Sequence, residues 1–409
     1  MKILCLSEVM PYSKVAHAGG KVIYNHLLKL SGYIDIDLLC YCDKGEEIHR
    51  EELDTFCKNV NIVERGSLKI HTVKNSMFQV KKFSIALVDK CISLGYPVNI
   101  NLYKNILERL ITNNHYDLVE LSFTSSLLYL PLIKKIDPNI RINIIEHDVS
   151  FLNLERNYKM QSGRLSKFIS LLRLKVYKDS EIKLLRLCNM ITVLNDKDRE
   201  LLIHEGFDNK DIFTEAPYFD RPDIDIENSK IEKIKNSLLF YGAMWRKEND
   251  ESIYNFLINI FPEILRLKPD VKLYIVGNRP TERIKKFQDN KNVFVTGFVE
   301  DPSQYFLQSE ICVIPLILGA GIKIKTLEAL SYGLPIVSTL MGTEGIDVHG
   351  KNVCIEVNKL KNFAEQVISL MDNPNLRKGL SENALKFIEK NYDLDVTIKK
   401  LVEKYKTML

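Results

Sequence analysis

The segment that decides the fold is Ile311-Cys-Val-Ile-Pro-Leu316, then Gly319-Ala-Gly-Ile-Lys-Ile-Lys325, then Gly333-Leu-Pro-Ile-Val-Ser-Thr339. The first apolar run predicts a buried strand, the glycines predict a turn into a helix, and Ile336–Ser338 predicts a second buried strand. A glycine turn between a strand and a helix leaves free backbone N–H groups at the positive end of the helix dipole. The sequence therefore predicts an anion site at this turn.

Two lysines and a glutamate define the chemistry of that site. Lys323 and Lys325 add positive charge, and Glu328 lies one to two turns along the predicted helix. A carboxylate this close to an anion site is suited to hydroxyl groups, such as those of a ribose. We therefore predict that the turn binds a nucleotide diphosphate. The predicted contacts at the turn are Gly319, Ala320, Gly321, Ile322, Lys323, Ile324 and Lys325.

Short apolar runs alternate with helical patterns along the whole chain, which is typical of an α/β fold with parallel sheets. Six strand candidates fall in each half, and a polar, proline-punctuated segment, Pro217–Asn228, separates the two sets as a plausible hinge. At 409 residues the chain exceeds one comfortable core. We predict an N-terminal domain over 1–216, a C-terminal domain over 217–391, and a last helix over 392–409 that packs back on the first domain.

The composition excludes several classes of protein. A net charge of +4 is too small to argue for nucleic acid, and no apolar run approaches the roughly 18 residues of a membrane span. The eight cysteines are scattered without a Cys-x-x-Cys pair, so we expect reduced thiols in a cytoplasmic protein and no zinc. Asp-x-Asp triplets occur, but none follows a strand with other ligands nearby. We predict no metal.

The segment from Leu154 to Met190 departs from the α/β pattern because it holds nine Lys or Arg against three acids, interleaved with leucines. Such a basic amphipathic helix can lie on an anionic membrane surface. It can equally be a solvated helix with one buried face. The sequence leaves both interpretations open, so a peripheral membrane contact through 154–190 is a hypothesis.

Two loops in the second half add candidate contacts. A predicted strand ends at Gly242, and Arg246 and Lys247 follow just before a predicted helix over about 249–265. Ligands bind beyond the carboxyl ends of parallel strands, and an arginine can fork onto two phosphate oxygens. After another strand, the backbone near Phe298 and Val299 can contact the edge of a base. A plain turn between a strand and a helix explains that second loop as well.

The first half offers weaker candidates. Gly19 and Gly20 open a predicted helix after the first strand, which permits close approach to a ligand, although neither a dinucleotide fingerprint nor a P-loop is present. His147 and Asp148 end a strand and are expected to face an interdomain cleft. A structural histidine and a capping aspartate remain the alternative. Glu120 is a further acceptor-side candidate, placed near a strand end.

These motifs together resemble the donor-site signature of family 4 (GT4) retaining glycosyltransferases with the GT-B fold. The match is strongest from 238 to 346. It rests on Gly319-x-Gly-x-Lys-x-Lys-x-x-Glu-Ala, Phe240-Tyr-Gly-x-Met-Trp, Ile275-Val-Gly277 and Val295-Thr-Gly-Phe-Val299. The resemblance implies two Rossmann-like domains whose parallel sheets face an interdomain cleft, with a nucleotide diphosphate sugar bound mainly by the second domain.

The resemblance also implies roles. Glu328 would bind the ribose hydroxyls, Arg246 or Lys247 would hold the diphosphate together with the amides of 321–324, and His147 would contact the transferred sugar or its leaving phosphate. The family's reaction generally uses neither a metal nor a cofactor. Cationic side chains then stabilise the leaving nucleoside diphosphate.

One position departs from the commoner family pattern, because Ala320 stands where a first glutamate would contact the sugar hydroxyls. We expect a hexosyltransferase-type enzyme that extends a surface polysaccharide, whose acceptor is a glycan or a lipid-linked glycan, located in the cytoplasm or on the inner membrane face. Two alternatives stay open. One is a nucleotide-sugar 2-epimerase on the same scaffold, and the other is a non-catalytic nucleotide-sugar-binding protein.

Overall fold

The computed structural model describes residues 1–15, 18–65, 99–217, 231–319 and 321–409. Within these ranges the chain forms two compact units, each built on one parallel sheet. The first unit comprises Met1–Val15, Gly19–Ala216 and Leu394–Leu409, and the second includes Pro217–Asp393. Most of the hinge predicted at 217–228 lies outside the described residues.

The sheet of the first unit has seven parallel strands in the order β3-β2-β1-β4-β5-β6-β7. Its strands are β1 (Lys2–Ser7), β2 (Asp35–Cys42), β3 (Asn59–Glu64), β4 (Leu118–Ser122), β5 (Arg141–Glu146), β6 (Met190–Val193) and β7 (Ile212–Thr214). Its helices up to β7 are α1 (Ala18–Leu30), α2 (Arg50–Asp54), α3 (Ile100–Asn113), α4 (Leu130–Ile136), α5 (Ser150–Met160), α6 (Arg164–Leu185) and α7 (Asp196–His204).

The sheet of the second unit has six parallel strands in the order β10-β9-β8-β11-β12-β13. Its strands are β8 (Ser237–Tyr241), β9 (Lys272–Val276), β10 (Val293–Gly297), β11 (Ile311–Ile314), β12 (Ile336–Thr339) and β13 (Ile355–Val357). Its helices are α8 (Lys247–Asn259), α9 (Phe261–Leu267), α10 (Glu282–Lys285), α11 (Ser303–Gln308), α12 (Ile324–Ser331), α13 (Phe363–Asp372) and α14 (Pro374–Asn391). The last helix of the chain is α15 (Leu394–Met408).

The strand order places the crossover points of the two sheets. It reverses direction beside β1 and β4 in the first sheet and beside β8 and β11 in the second. The loops that follow such strands diverge to opposite faces and leave a crevice at the carboxyl ends, where open α/β sheets bind ligands. The central strands are apolar and buried, since helices cover both faces of a parallel sheet.

The predicted α/β class is confirmed, and each of the twelve predicted strands is present within one or two residues at its ends. The sequence missed β3, an edge strand with only two buried residues in the run Asn-Val-Asn-Ile-Val-Glu. The single helix predicted over 249–265 is wrong, because α8 ends at Asn259 and α9 begins at Phe261. Pro262, at the start of α9, lacks the N–H that a continuous helix needs there.

The helix α15 belongs to the first unit, although 177 residues of the second unit, Pro217–Asp393, precede it. Tyr405 anchors it in the sheet, because its hydroxyl accepts from Asn143 Nδ2 on β5 at 2.8 Å and donates to Glu120 on β4. Lys404 Nζ adds a bond to the carbonyl of Lys210 at 3.2 Å. The chain therefore closes on the domain in which it began.

Glu120 corrects one prediction. It lies in the interior of β4 and is fully buried, so the predicted position near a strand end is wrong. His26 Nε2 lies 2.9 Å from Glu120 Oε1, and Cys5 Sγ donates to the same carboxylate at 3.5 Å. Burial raises the pKa of this carboxyl, but His26 and the hydrogen bonds from Tyr405 and Cys5 together outweigh burial, and the net shift lowers it. The side chain is a buried link between β1, β4, α1 and α15.

Candidate functional site

Three turns meet at the carboxyl ends of β8, β9 and β10. The amide of Gly242 donates to the carbonyl of Val276 at 3.0 Å, and the amide of Gly277 donates to the carbonyl of Gly297 at 3.0 Å. Gly277 has a φ of +149°, and a Cβ there would lie 1.8 Å from the carbonyl oxygen of Gly242. Only glycine permits this approach of two backbones. The backbone of Gly242 is thereby fixed at the edge of the sheet.

Lys325 reaches the same place from the first turn of α12. Its Nζ donates to Asn249 Oδ1 at 2.5 Å and lies 4.9 Å from the centroid of the Phe240 ring. A Cβ added at Gly242 would lie 2.6 Å from this Nζ, so the glycine leaves the room that the ammonium group occupies. The ammonium group therefore lies directly at the end of β8.

The surroundings of Lys325 disfavour the charged form of its side chain. The pKa of its ammonium group is lowered to about 8, chiefly by burial and also by the nearby positive charge of Arg246. Glu248 and Glu328 act in the opposite direction but do not outweigh the first two causes. Two cations close enough to disfavour each other are stabilised by a bound anion, which supplies the missing negative charge.

Arg246 and Lys247 lie at the start of α8, as the sequence predicted. Arg246 is the N-cap residue, and its Nε lies 2.5 Å from Glu248 Oε1. Lys247 is the first residue of the helix and is exposed. The glutamate partner was not predicted. It holds the guanidinium near the helix N-terminus, where the backbone N–H groups also favour anions.

The glycine turn lies against the same helix. A Cβ added at Gly319 would lie 3.9 Å from Glu248 Cβ. Lys323 is almost fully buried, and its Nζ donates to the carbonyl of Gly321 at 2.5 Å and lies 3.4 Å from Glu344 Oε2. Lys323 therefore braces the turn, and its charge is opposed by Glu344. Ala320 lies outside the described residues.

The rest of the turn leads into α12. Gly321 is buried, Ile322 is half-buried, and Ile324 begins the helix. Lys323 is the N-cap residue of this helix, but its side chain makes no capping hydrogen bond. The amides of 321–324 therefore occupy the helix N-terminus, which is the location that the sequence assigned to the anion.

Glu328 is the fifth residue of α12 and is half-buried. Its carboxylate is the largest cause of a pKa of Tyr241 well above the usual range, which places the two side chains close together at the end of β8. Rings flank this position, because Phe306 packs edge-on against Tyr241 at 5.1 Å and stacks on Tyr332 at 4.7 Å. One end of β8 thus gathers the cation of Lys325 and the anion of Glu328.

The loop predicted to contact a base follows β10. Phe298 is 55% exposed, and Val299 is half-buried. Phe298 directly follows Gly297, and its exposed ring is free to stack on a planar group such as a base. Its role in binding stays a prediction.

One of the two first-half glycines, Gly20, has a packing reason. Gly19 and Gly20 are the second and third residues of α1, which begins four residues before the predicted Val22. A Cβ on Gly20 would lie 2.9 Å from Cγ1 of Val15, so a side chain there would collide with the preceding loop. Close packing of α1 against that loop therefore requires glycine at this position, whatever the loop binds.

His147 and Asp148 follow β5 and are both half-buried. The His147 ring stacks on Phe123 at 4.2 Å between centroids, and Phe123 has a φ of +73°. A bulky residue in that region is strained, and such strain persists where the surroundings impose it, often at functional sites. The stack fixes the plane of the imidazole, while a contact between His147 and a sugar stays a prediction.

Buried carboxyl groups lie directly behind His147. The pKa of Glu146 is raised to about 8, chiefly by burial and also by the negative charge of Asp148. Thr124 donates to Glu146 and lies 2.8 Å from Ser150 Oγ. Glu181 of α6 accepts from the amides of Ser150 and Phe151 at 3.1 and 3.0 Å, which caps α5. The sequence missed this network, because its members come from four separate segments.

The described residues contain no group of three His, Cys, Asp or Glu side chains placed to hold a metal ion. The seven described cysteines are free thiols. No helix in the described ranges is both long and apolar enough to cross a bilayer.

Residues 235–373, which include the second-unit residues of the candidate site, match the family model for glycosyl transferases group 1. An uncharacterised 44.6 kDa protein in the cps region of Klebsiella pneumoniae is 24% identical, over 96% of each chain. An uncharacterised glycosyltransferase of Methanocaldococcus jannaschii is 26% identical, over 75% of this chain and 76% of its own. The crystal structure of HepE from Anabaena in complex with UDP-glucose superposes with a TM-score of 0.65 at 12% identity, covering both chains fully.

The protein is a glycosyltransferase. The matched domain and the relatives confirm this predicted function, and the structural similarity confirms the GT-B fold. The residues that sequence reasoning missed in the glycosyltransferase are mainly supports. Asn249 and Glu248 orient Lys325 and Arg246, and their only sequence signal is that they follow Arg246 at the start of a helix.

Proposed function

We propose that this glycosyltransferase is a GT4 enzyme that transfers a sugar from a nucleotide diphosphate sugar to an acceptor hydroxyl with retention of configuration. The observation that carries the proposal is the placement of Lys325 at the end of β8, where it is bonded to Asn249 of α8, with Arg246 at the N-cap of α8 and Glu328 one turn further along α12, all within the matched domain. A diphosphate neutralises the positive charges of Lys325 and Arg246, and the hydroxyls of a ribose donate hydrogen bonds to the carboxylate of Glu328. A nucleotide diphosphate sugar is one molecule that carries both groups.

In the proposed reaction the bond between the anomeric carbon and the diphosphate oxygen breaks, and a bond from that carbon to the acceptor oxygen forms. The proton of the acceptor hydroxyl is released, and negative charge grows on the leaving diphosphate. Arg246, Lys325 and the amides of 321–324 stabilise that charge. Fixed donors and cations of this kind are an effective source of rate enhancement in sites shielded from water. The proposed mechanism uses these groups where other transferases use a divalent metal.

The acceptor side of the proposal rests on the first unit and on the relatives. A relative encoded in a cps region and a neighbour solved with UDP-glucose support a role in surface polysaccharide assembly. We propose a growing glycan, carried on a lipid at the inner membrane face, as the acceptor. His147, held by its stack on Phe123, is the proposed contact for the sugar or the leaving phosphate.

The first experiment identifies the substrate and then tests the site. A panel of nucleotide diphosphate sugars is screened by thermal shift, and hydrolysis of any stabilising sugar nucleotide is then measured. We expect Glu328→Ala to lower kcat/KM by about tenfold or more, because the ribose hydroxyls lose a charged hydrogen-bond partner. The matched control is Glu365→Ala, an exposed glutamate of the same unit at the start of α13.

Every other outcome of these measurements contradicts one specific part of the proposal. Equal kcat/KM for the Glu328→Ala and control proteins contradicts the ribose assignment. Conversion of the sugar nucleotide to an epimer without an acceptor supports the epimerase alternative. Stabilisation without any hydrolysis or transfer supports a non-catalytic binding protein. Inversion of the anomeric centre in the product contradicts GT4 membership.

A further inference from the structure

The helix α6 carries a second apolar face, which stays exposed among the described residues of the first unit. Leu165, Phe168, Ile169 and Leu172 are between 43% and 73% exposed. Their spacing of three, four and seven residues places them on one side of an α-helix. Isolated exposed apolar residues are ordinary, but a continuous stripe of four large ones marks an interaction surface. These four residues are called the outer stripe below.

The opposite side of the same helix is already used. Leu174 and Tyr177 are partly buried against the core of the first unit, and Leu185 is fully within it. At 100° per residue, Leu174 lies roughly opposite Leu172 on the helix. The packed side therefore supplies the apolar face that joins the described core of this unit, and the outer stripe is not part of that core.

The charge around the outer stripe has one sign. Residues 156–178 contain no Asp or Glu. Arg164 and Lys175 project on one flank of the stripe and Arg173 on the other, by the same helical geometry. Along the described chain, none of these three side chains forms an ion pair, and all three are exposed. An apolar stripe flanked on both sides by cations is complementary to a surface that is apolar in depth and anionic at its boundary.

We propose that the outer stripe docks the protein on a bilayer of anionic phospholipid, with its side chains among the acyl chains and the flanking cations at the headgroups. This deepens the membrane-face location in the proposed function and rests on that part of it. A second copy of this chain fits less well, because a symmetric contact between two such helices brings cations against cations.

The docking surface is tied to the residues that were predicted to face the acceptor. Glu181, on the packed side of α6, accepts hydrogen bonds from the amides of Ser150 and Phe151, which follow His147 and Asp148 directly along the chain. Lys178 of α6 lies 4.8 Å over the Phe151 ring. A bilayer under α6 therefore lies beside the segment that a lipid-linked acceptor has to reach.

The test is sedimentation of the whole protein with vesicles of phosphatidylcholine, alone or mixed with phosphatidylglycerol. We expect binding to the mixed vesicles only, and loss of that binding in the double variant Phe168→Ser, Leu172→Ser. Arg173→Gln should weaken binding about fivefold at low salt and less at high salt, since one cation near an anionic surface contributes that much. Ile48→Ser, which changes another exposed apolar residue of the first unit, should bind as the unchanged protein does.

Binding to neutral vesicles with equal affinity overturns the charge argument, and no binding to either kind overturns the proposal. If the double variant abolishes a dimer seen by analytical ultracentrifugation, the stripe binds a second copy and the lipid assignment is wrong. The vesicle assay contains no nucleotide sugar, whereas hydrolysis of the nucleotide sugar needs no vesicle. Failure of the docking proposal and failure of the proposed transfer reaction are therefore separate results.

Discussion

Each unit of this glycosyltransferase holds a small cluster of charged side chains, and the two clusters differ in their balance of positive and negative charge. In the first unit, Glu120 is paired with His26 at 2.9 Å and bonded to Tyr405. In the second, Lys325 lies near Arg246, and the two positive charges oppose each other. A buried pair of opposite charges is complete within the protein. Two neighbouring positive charges at a strand end are unfavourable until an anion binds. This difference distinguishes a binding site from a structural cluster.

The largest expected effect comes from the paired cluster. Glu120→Ala should lower the free energy of unfolding of the first unit by about 3–5 kcal/mol, because His26 and Tyr405 are left buried without their partner. The only tryptophan, Trp245, lies in the second unit. Urea denaturation followed by circular dichroism reports both units, while Trp245 fluorescence reports the second one, so the two signals locate the loss.

The control for this loss is Glu403→Ala on the exposed side of α15, whose partner is Lys406. An exposed pair of this kind contributes little, so we expect a change within about 0.5 kcal/mol. If Glu120→Ala costs no more than this control, the cluster does not hold α15 to the sheet, and the comparison between the two units fails.

A smaller effect is expected from the cluster of the second unit, and it concerns nucleotide binding. Lys325→Met should weaken the affinity for a nucleoside diphosphate by roughly 10- to 150-fold, the equivalent of one charge-assisted hydrogen bond. Its free energy of unfolding should change little or rise, because a buried charge next to Arg246 is removed. Titration calorimetry measures the first quantity, and urea denaturation followed by Trp245 fluorescence measures the second.

The pH dependence sharpens the same prediction. The pKa of Lys325 is about 8, so the unchanged protein should lose affinity as the pH rises through that value and the ammonium group is neutralised. The Lys325→Met protein should lack this step. Lys285→Met, an exposed lysine of the same unit, serves as the control and should bind and titrate as the unchanged protein does. A variant that binds with normal affinity shows that Lys325 supports the turn and does not contact phosphate.

The smallest expected effect is the pH dependence of the first unit. Burial lowers the pKa of His26, but Glu120 and Glu215 together outweigh burial, and the net pKa is raised above its ordinary value of 6.5. The stabilisation is therefore complete below pH 6.5 and is lost as the pH rises through the raised pKa. The lowered pKa of Glu120 gives the opposite limit, because its contribution is present above pH 4.5 and is lost as the pH falls through the lowered pKa.

Urea denaturation across this pH range, followed by circular dichroism, measures the loss, which should be smaller than that of Glu120→Ala. The matched variant is His26→Gln, which cannot take up the proton. Its alkaline loss of stability should disappear, and its acid loss should shrink, because Glu120 then lacks the imidazolium charge that lowers its pKa. An unchanged alkaline slope in this variant shows that another group is responsible.

The two glutamates show how far the site could be predicted. Glu120 and Glu328 were both proposed as site residues. Glu328 follows a glycine turn and two lysines within a few residues, so local sequence placed it beside the anion site. The fate of Glu120 depended on His26, 94 residues away, and Tyr405, 285 residues away. No local pattern reports partners at that distance.

The sequence by itself determined the α/β class, the twelve strands, the glycine turn and the helix that carries Glu328. These follow from periodicity, from the backbone freedom of glycine and from helix-terminal charge, which act over a few residues. The tertiary structure alone decided that Lys325 reaches Gly242, that Lys323 is opposed by Glu344, and that α6 is apolar on two sides with only one covered. Such facts depend on which distant segments are packed together, and burial and charge pairing are set only when that packing is complete.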